Sequence, residues 1–117
     1  MSSKVPWSVL RTALKEAKKS NCSDYKHSAI IYASGGRIIS KACNLAFKTH
    51  PRGSGCYSTC HAEVGAIMRG LRVRHTLQDC KIFVLRTNKF GEIKNSKPCI
   101  DCAKLISSVG LRASWSE

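Results

Sequence analysis

The sequence predicts an α/β protein in which helices cover both faces of a central mixed sheet of about four strands. Two β-rich segments meet at Gly35-Gly36, and downstream of them helical and strand-like segments alternate. A Gly-Gly turn joins antiparallel strands, whereas a strand, a helix and a further strand of one sheet require a right-handed parallel crossover. Residues 1–117 are expected to form a single domain, since domains commonly have about 100–150 residues.

The first half of the chain predicts a helix followed by a hairpin. A helix is expected over 6–20, because Pro6 suits a first turn and large side chains recur at helical spacing. This stripe is expected to pack the helix on the sheet; it consists of Trp7, Leu10, Leu14 and Ala17. Strands are expected over 26–33 and 37–43, on either side of the glycine pair.

The second half alternates between helix and strand. Residues 44–60 have no clean period and are interpreted as a long loop, a feature that is often functional. The later elements are a helix over 61–73 with a Val64, Ile67, Met68 and Leu71 stripe, a strand over 80–87, a polar loop over 87–97, a helix over 98–110 and a last strand over 111–117. Because only seven residues follow Gly110, the last strand is expected to be a sheet edge.

Composition limits the setting and the partners. The chain carries 20 Lys and Arg against 7 Asp and Glu, a net charge of +13 spread along its length. This excess favours anionic partners such as nucleotides or nucleic acid, although a solvated basic face is the alternative. No apolar run approaches the ~18 residues of a membrane span, and the charged N-terminus lacks a signal-peptide core. An intracellular, cytoplasmic protein with no membrane partner is expected.

The seven cysteines indicate metal binding or buried thiols. An odd count without a secretion signal is a poor disulfide framework. Cys43 and Cys80 lie inside apolar runs, so they are expected to be core residues.

Four residues at two predicted helix starts carry the candidate chemistry. They are His61 and Glu63 in HAE, and Cys99 and Cys102 in PCIDC. Two thiolates and one imidazole suit Zn²⁺ and leave a fourth position for water, next to which Glu63 would act as a base. The helix start is expected to lower the pKa of the two thiols. An alternative ligand set for a structural zinc in a nucleic-acid-binding module is Cys56, Cys60, Cys99 and Cys102.

The H-x-E…P-C-x-x-C pattern resembles the cytidine/deoxycytidylate deaminase superfamily, which includes tRNA adenosine deaminases. HAEVGAI and PCIDCAKLI are most similar to the deoxycytidylate and tRNA-deaminase branch. The resemblance implies a three-layer cytidine-deaminase-like fold, a Zn²⁺ cofactor held by His61, Cys99 and Cys102, and Glu63 as the proton carrier. It implies hydrolysis of cytosine to uracil with release of ammonia. Further implied substrate-binding residues are Asn44, Ala62 and Pro98, with Asn44 at the sugar and the Ala62 backbone at the base.

The substrate remains open between a (deoxy)cytidine nucleotide, which is preferred, and cytosine or adenine in single-stranded DNA or RNA. An inactive binding protein of the same fold is a third reading. Gly65 replaces an Asn that many deoxycytidylate deaminases have. The short C-terminus predicts an open pocket or a homo-oligomer in which a second subunit covers it. Candidate phosphate contacts are Lys48, His50, Arg52, Lys94 and Lys97; candidate stacking residues are Phe47, Tyr57 and Phe90.

Overall fold

The computed structural model describes residues 5–20, 25–46, 59–74 and 76–116, which form three helices and seven strands. The helices are α1 (Trp7–Ala17), α2 (Ala62–Val73) and α3 (Ile100–Ser108). The strands are β1 (Tyr25–Tyr32), β2 (Ile38–Cys43), β3 (Leu45–Ala46), β4 (Thr59–Cys60), β5 (Lys81–Asn88), β6 (Ile93–Lys94) and β7 (Arg112–Trp115). No helix in these ranges has the length and apolarity that crossing a bilayer requires.

The central sheet is mixed, as predicted. Strand β1 lies between β2 and β5 and is antiparallel to both, whereas β7 runs parallel to β5. The predicted count of about four strands becomes five, because β6, inside the predicted polar loop, pairs with β5 beyond the end of β7. The predicted loop over 44–60 is also not wholly irregular, since β3 and β4 pair antiparallel at its two ends.

The turn between β1 and β2 explains the glycine pair. Gly35 and Gly36 have φ angles of 79° and 81°, a region that residues with a Cβ adopt at a cost. The N–H of Ala33 donates to the carbonyl of Arg37 at 2.8 Å and closes the loop. The hairpin prediction is therefore confirmed, with a loop slightly longer than a two-residue turn.

Alternating side chains of β1 and β5 divide the core into two layers. The layer under α1 contains Val9, Ala13, Ala17, Ile30, Tyr32, Phe83 and Leu85. The layer under α2 and α3 includes Ala29, Ile31, Ala66, Ile67, Ile82, Val84 and Ile106. Because successive strand residues point to opposite faces, this alternation produces the predicted α/β/α arrangement.

The stripe predicted on α1 is correct only in part, since Ala17 is buried in the layer under this helix as predicted whereas Trp7 is not. Trp7 is 67 % exposed, while Val9 and Ala13 are fully buried against the sheet. Leu10 and Leu14 only flank this layer. Small side chains let the helix approach the sheet closely, and Trp7, at the first residue of the helix, lies beyond the contact. The stripe predicted on α2 is confirmed, since its residues are buried or pack against the core.

The two cysteines predicted in the core differ from each other. Cys80 is buried in the layer under α2 and α3, as predicted. Cys43, at the end of β2, is only half-buried, so its prediction is correct only in part.

Candidate metal centre and active site

The starts of α2 and α3 meet at one point and bring three metal-binding side chains together. His61 caps the N-terminus of α2, Cys99 caps that of α3, and Cys102 lies in the first turn of α3. Nδ1 of His61 is 3.1 Å from Sγ of Cys102 and 3.8 Å from Sγ of Cys99. The sequence predicted this cluster from residues that are 38 and 41 positions apart along the chain.

The donor set fits Zn²⁺. The three ligand atoms lie within 4.8 Å of one another. In a tetrahedral site with usual Zn–S and Zn–N bonds, nitrogen and sulfur ligands are ~3.6 Å apart, and the two observed N–S distances bracket this value. Imidazole and thiolate are also the donors that zinc prefers. The alternative site with four cysteine ligands would leave His61 without a role, whereas in this structure His61 contacts Cys99 and Cys102. Cys56 and the side chain of Cys60 lie outside the described residues.

The expected lowering of thiol pKa is wrong for Cys102. Burial raises the pKa of this thiol, and the neighbouring Glu63 carboxyl and Cys99 thiol raise it further. A thiol in such surroundings becomes a thiolate when a cation displaces its proton, so metal uptake and proton release are coupled at this site.

Glu63 lies in the first turn of α2 next to the three ligands. Its side chain is only 5 % exposed. Burial raises the pKa of its carboxyl group, while hydrogen bonding to backbone and the nearby His61 act in the opposite direction. A carboxyl group with a raised pKa takes up and returns a proton near neutral pH more readily than an exposed one. The geometry therefore suits the predicted role of proton carrier.

A cavity of about 180 Å³ opens directly beside this cluster. Its lining consists of His27, Asn44, His61, Ala62, Glu63, Ser96, Lys97 and Cys99. Among the predicted substrate contacts, Asn44 and Ala62 lie in this wall, as does Lys97, a predicted phosphate contact. Pro98 is half-buried and lines a neighbouring groove with Leu111 and Trp115, so its contact with substrate stays a prediction.

Asn44 and His27 form a fixed pair in the cavity wall. Oδ1 of Asn44 accepts hydrogen bonds from the Ser20 hydroxyl at 2.6 Å and from the backbone N–H of His27 at 2.8 Å. Its Nδ2 donates to the carbonyl of Tyr25 at 3.3 Å. Because the amide oxygen already accepts two donors, the Asn44 side chain faces a ligand chiefly as a hydrogen-bond donor. Asn44 thus holds the local backbone and keeps a donor for a ligand, and its contact with the sugar stays a prediction.

Sequence reasoning missed His27. It lies in the cavity wall, and burial together with the positive charge of Arg86 lowers the pKa of its imidazole to about 4. The imidazole is therefore neutral at physiological pH and acts as both donor and acceptor. The sequence feature that could have identified His27 is its position on β1, where this polar residue shares a strand face with the apolar Ala29 and Ile31.

Sequence reasoning also missed Ser96, which fixes the segment before the Cys pair. Its Oγ donates to the carbonyl of Val84 at 2.6 Å, and its N–H donates to the carbonyl of Ser116 at 2.9 Å. These bonds tie the segment that leads to Cys99 to β5 and to the end of the chain. A buried hydroxyl with both bonds made keeps this connection in one position.

Gly65 marks where the chain departs from the deoxycytidylate deaminase pattern, and the packing of α2 explains it. A Cβ at this position would lie 3.0 Å from Cβ of Ala42 on β2. A larger side chain at this position would therefore require α2 or Ala42 to shift by a few tenths of an ångström. Gly65 itself has no side chain that could make the substrate contacts of an Asn.

Three further basic or aromatic side chains do not line the cavity. Arg69 donates to the carbonyl of Lys41, and Arg74 donates to Sγ of Cys80, so both serve the packing around α2. Phe90 is exposed in the turn between β5 and β6. The predictions that lie outside the described residues concern Phe47, Lys48, His50, Arg52 and Tyr57.

Comparison with known proteins agrees with the site. Residues 5–115 match the family model described as the cytidine and deoxycytidylate deaminase zinc-binding region, and the chain belongs to this family. A dCMP deaminase from the cyanophage S-TIM5 in apo form has a similar fold, with a TM-score of 0.70 and 21 % identity over 98 % of this chain and 84 % of that one. The same enzyme in complex with dCMP and dUMP gives a TM-score of 0.69 at 21 % identity, over 98 % and 82 % of the two chains. A search of curated proteins finds no significant match.

Proposed function

We propose that this protein is a zinc-dependent hydrolytic deaminase that converts cytosine to uracil in a (deoxy)cytidine nucleotide and releases ammonia. The observation that carries the proposal is the convergence of His61, Cys99 and Cys102 beside the buried carboxyl group of Glu63. Family membership and the dCMP and dUMP bound by the structurally similar phage enzyme support it.

The roles of the residues follow from their positions. His61, Cys99 and Cys102 would hold Zn²⁺, which as a Lewis acid lowers the pKa of a water molecule at the site. Glu63 would accept a proton from the attacking water and deliver it to the ring nitrogen of the base. A second proton, from the hydroxyl group that has been added to the base, would pass through Glu63 to the amine, which leaves as ammonia. The backbone beside Ala62 and the Asn44 amide orient the nucleotide, as the family resemblance implies.

The cavity favours a small, anionic substrate. Lys97 provides a positive charge at the wall, and the volume of about 180 Å³ suits a pyrimidine ring with part of a sugar. The excess of basic residues over the chain increases encounter with phosphorylated ligands. A second subunit that covers the cavity would complete the enclosure, and a homo-oligomer is part of the proposal.

A substrate panel tests the proposal. Zinc-loaded protein is incubated with dCMP, CMP, cytidine, adenosine and oligonucleotides that contain C or A, and ammonia and uracil or inosine products are measured. We expect turnover of the cytosine nucleotides. Activity confined to adenine would refute the choice of base, and turnover only of oligonucleotides with a steep salt dependence would identify a strand as the substrate. No turnover with zinc bound would support the inactive binding protein.

A further inference from the structure

A row of four side chains crosses the sheet at the end that holds the cavity. Asn44 donates its N–H to the carbonyl of His27 at 3.1 Å. His27 on β1 is paired with Arg86 on β5, and Arg86 is paired with Lys94 on β6. Paired residues of antiparallel strands point to the same face. This cross-strand row (Asn44, His27, Arg86 and Lys94) therefore shares the face covered by α2 and α3.

The row leads from the cavity to solvent, and its positive charge increases on the way. Asn44 and His27 line the cavity, and both are uncharged at neutral pH. Arg86 is half-buried behind them, and Lys94 is exposed. The Arg86 charge is felt at the cavity wall, since after burial it is the next contribution to the lowered pKa of His27.

Arg86 has no ion-pair partner among the residues that the structure describes. Its Nε is buried and forms no hydrogen bond with any residue that the structure describes, and no carboxylate in those ranges forms an ion pair with it. The guanidinium instead lies over the ring of Tyr25, 3.9 Å from the ring centre. Stacking holds the group flat, so an anion that reaches its edge would meet parallel N–H donors. A half-buried cation without an ion-pair partner is costly, and an anion bound there would offset that cost.

We propose that Arg86, supported by Tyr25 and extended by Lys94, is the phosphate-binding subsite of the cavity. This subsite receives a phosphate group of the nucleotide whose base lies beside Glu63. The inference therefore rests on the proposed function. The phosphate belongs either to a mononucleotide or to the backbone of a strand. Both sources present the same oxygens to the guanidinium, so the experiment has an arm for each.

Binding rather than turnover tests the subsite. The zinc-loaded Glu63→Ala protein is titrated by calorimetry with dCMP, with deoxycytidine and with a cytosine-containing oligonucleotide, with and without Arg86→Met. Loss of a hydrogen bond to a charged group should weaken dCMP binding about 10- to 100-fold, whereas deoxycytidine binding should change less than threefold. Lys94→Met should weaken dCMP binding up to about fivefold, as for an exposed ion pair. The matched control is Arg72→Met, on the exposed surface of α2, which should change neither.

The outcomes separate this inference from the proposed function. Equal losses for dCMP and deoxycytidine, or no loss for either dCMP or a cytosine-containing oligonucleotide, would overturn the subsite. A loss for the oligonucleotide alone would support it and assign the phosphate to a strand. If Arg86→Met does not fold, Arg86→Lys and Lys94→Met give the same comparison, because Lys keeps the charge and loses the planar edge. Arg86-dependent binding without turnover by the unmodified protein would leave the subsite standing and refute the deaminase.

Discussion

Replacing Glu63 with Gln is the sharpest test of the site, because it should separate catalysis from both metal binding and folding. The amide has nearly the shape of the carboxyl group but cannot accept and return a proton. General acid–base catalysis by a positioned side chain contributes about 100- to 10,000-fold. We therefore expect kcat for dCMP to fall by at least about 100-fold, equivalent to about 3 kcal/mol in the activation free energy.

The free energy of unfolding of this variant should rise or stay the same, although its kcat falls. Glu63 is 5 % exposed, and burial raises the pKa of its carboxyl group, so the fold disfavours the charged form. A neutral amide avoids that cost. The free energy of unfolding at pH 7 should consequently be unchanged or higher, as measured by urea denaturation. The zinc content should be unchanged, because the three ligand atoms belong to other residues.

Three measurements on one variant thus decide the role of Glu63. Retained zinc with lost turnover and undiminished stability supports a proton carrier. If Glu63→Gln loses its zinc, Glu63 helps to hold the metal and the assignment is wrong. Turnover reduced by less than tenfold would show that another group transfers the proton. Glu92→Gln is the matched control, since Glu92 is exposed in the turn before β6 and its replacement should alter none of the three values.

The remaining predictions concern pH, metal and packing. In the unfolded chain the His27 imidazole takes up a proton below about pH 6.5, whereas in the native protein its pKa is about 4. The free energy of unfolding should therefore fall as the pH falls from 6.5 to 4. His27→Gln should remove about 2 kcal/mol of that loss at pH 4.5 in urea denaturation; an unchanged pH slope would contradict this. Zinc binding at pH 7 should release at least one proton, from Cys102, in calorimetry with buffers of different ionisation enthalpy, and zinc uptake without proton release would show that the thiol is already ionised. Gly65→Ala should lower the free energy of unfolding by about 1 kcal/mol in denaturation, because overpacking outweighs the gain in helix propensity. Adding Ala42→Gly to this variant should restore part of the lost stability. If the effects of the two substitutions on stability are simply additive, the contact between the two positions is excluded.

Local pattern was sufficient for much of the site. A His before a helix and a Cys pair at the start of another are recognisable without a structure, because caps and first turns depend on a few neighbouring residues. The glycine pair between β1 and β2 is equally local. The stripe on α2 was also predictable, since the residues that share a helix face follow from the helical period.

The errors occur where a choice depends on distant segments. On α1, both the predicted stripe and the Val9–Ala13 face have helical spacing, and contact with the sheet buried Val9, Ala13 and Ala17 but left Trp7 exposed. Strand β6 has only two residues and no pattern of its own, and it exists because β5 has a free edge beyond β7. The predicted low thiol pKa is wrong at Cys102, because burial and the neighbouring Glu63 and Cys99 raise the pKa of this thiol.

By itself, the sequence determined which donors are available, at which helix starts they lie, and that their chemistry suits zinc beside a carboxyl group. Only the tertiary structure decided that these donors meet, that His27 and Asn44 belong to the cavity wall, and that Arg86 stands behind them with no ion-pair partner among the described residues. The physical reason is that periodicity defines which residues of one segment share a face, whereas strand register and layer spacing define which faces touch. Register is a property of paired segments, and no single segment carries it.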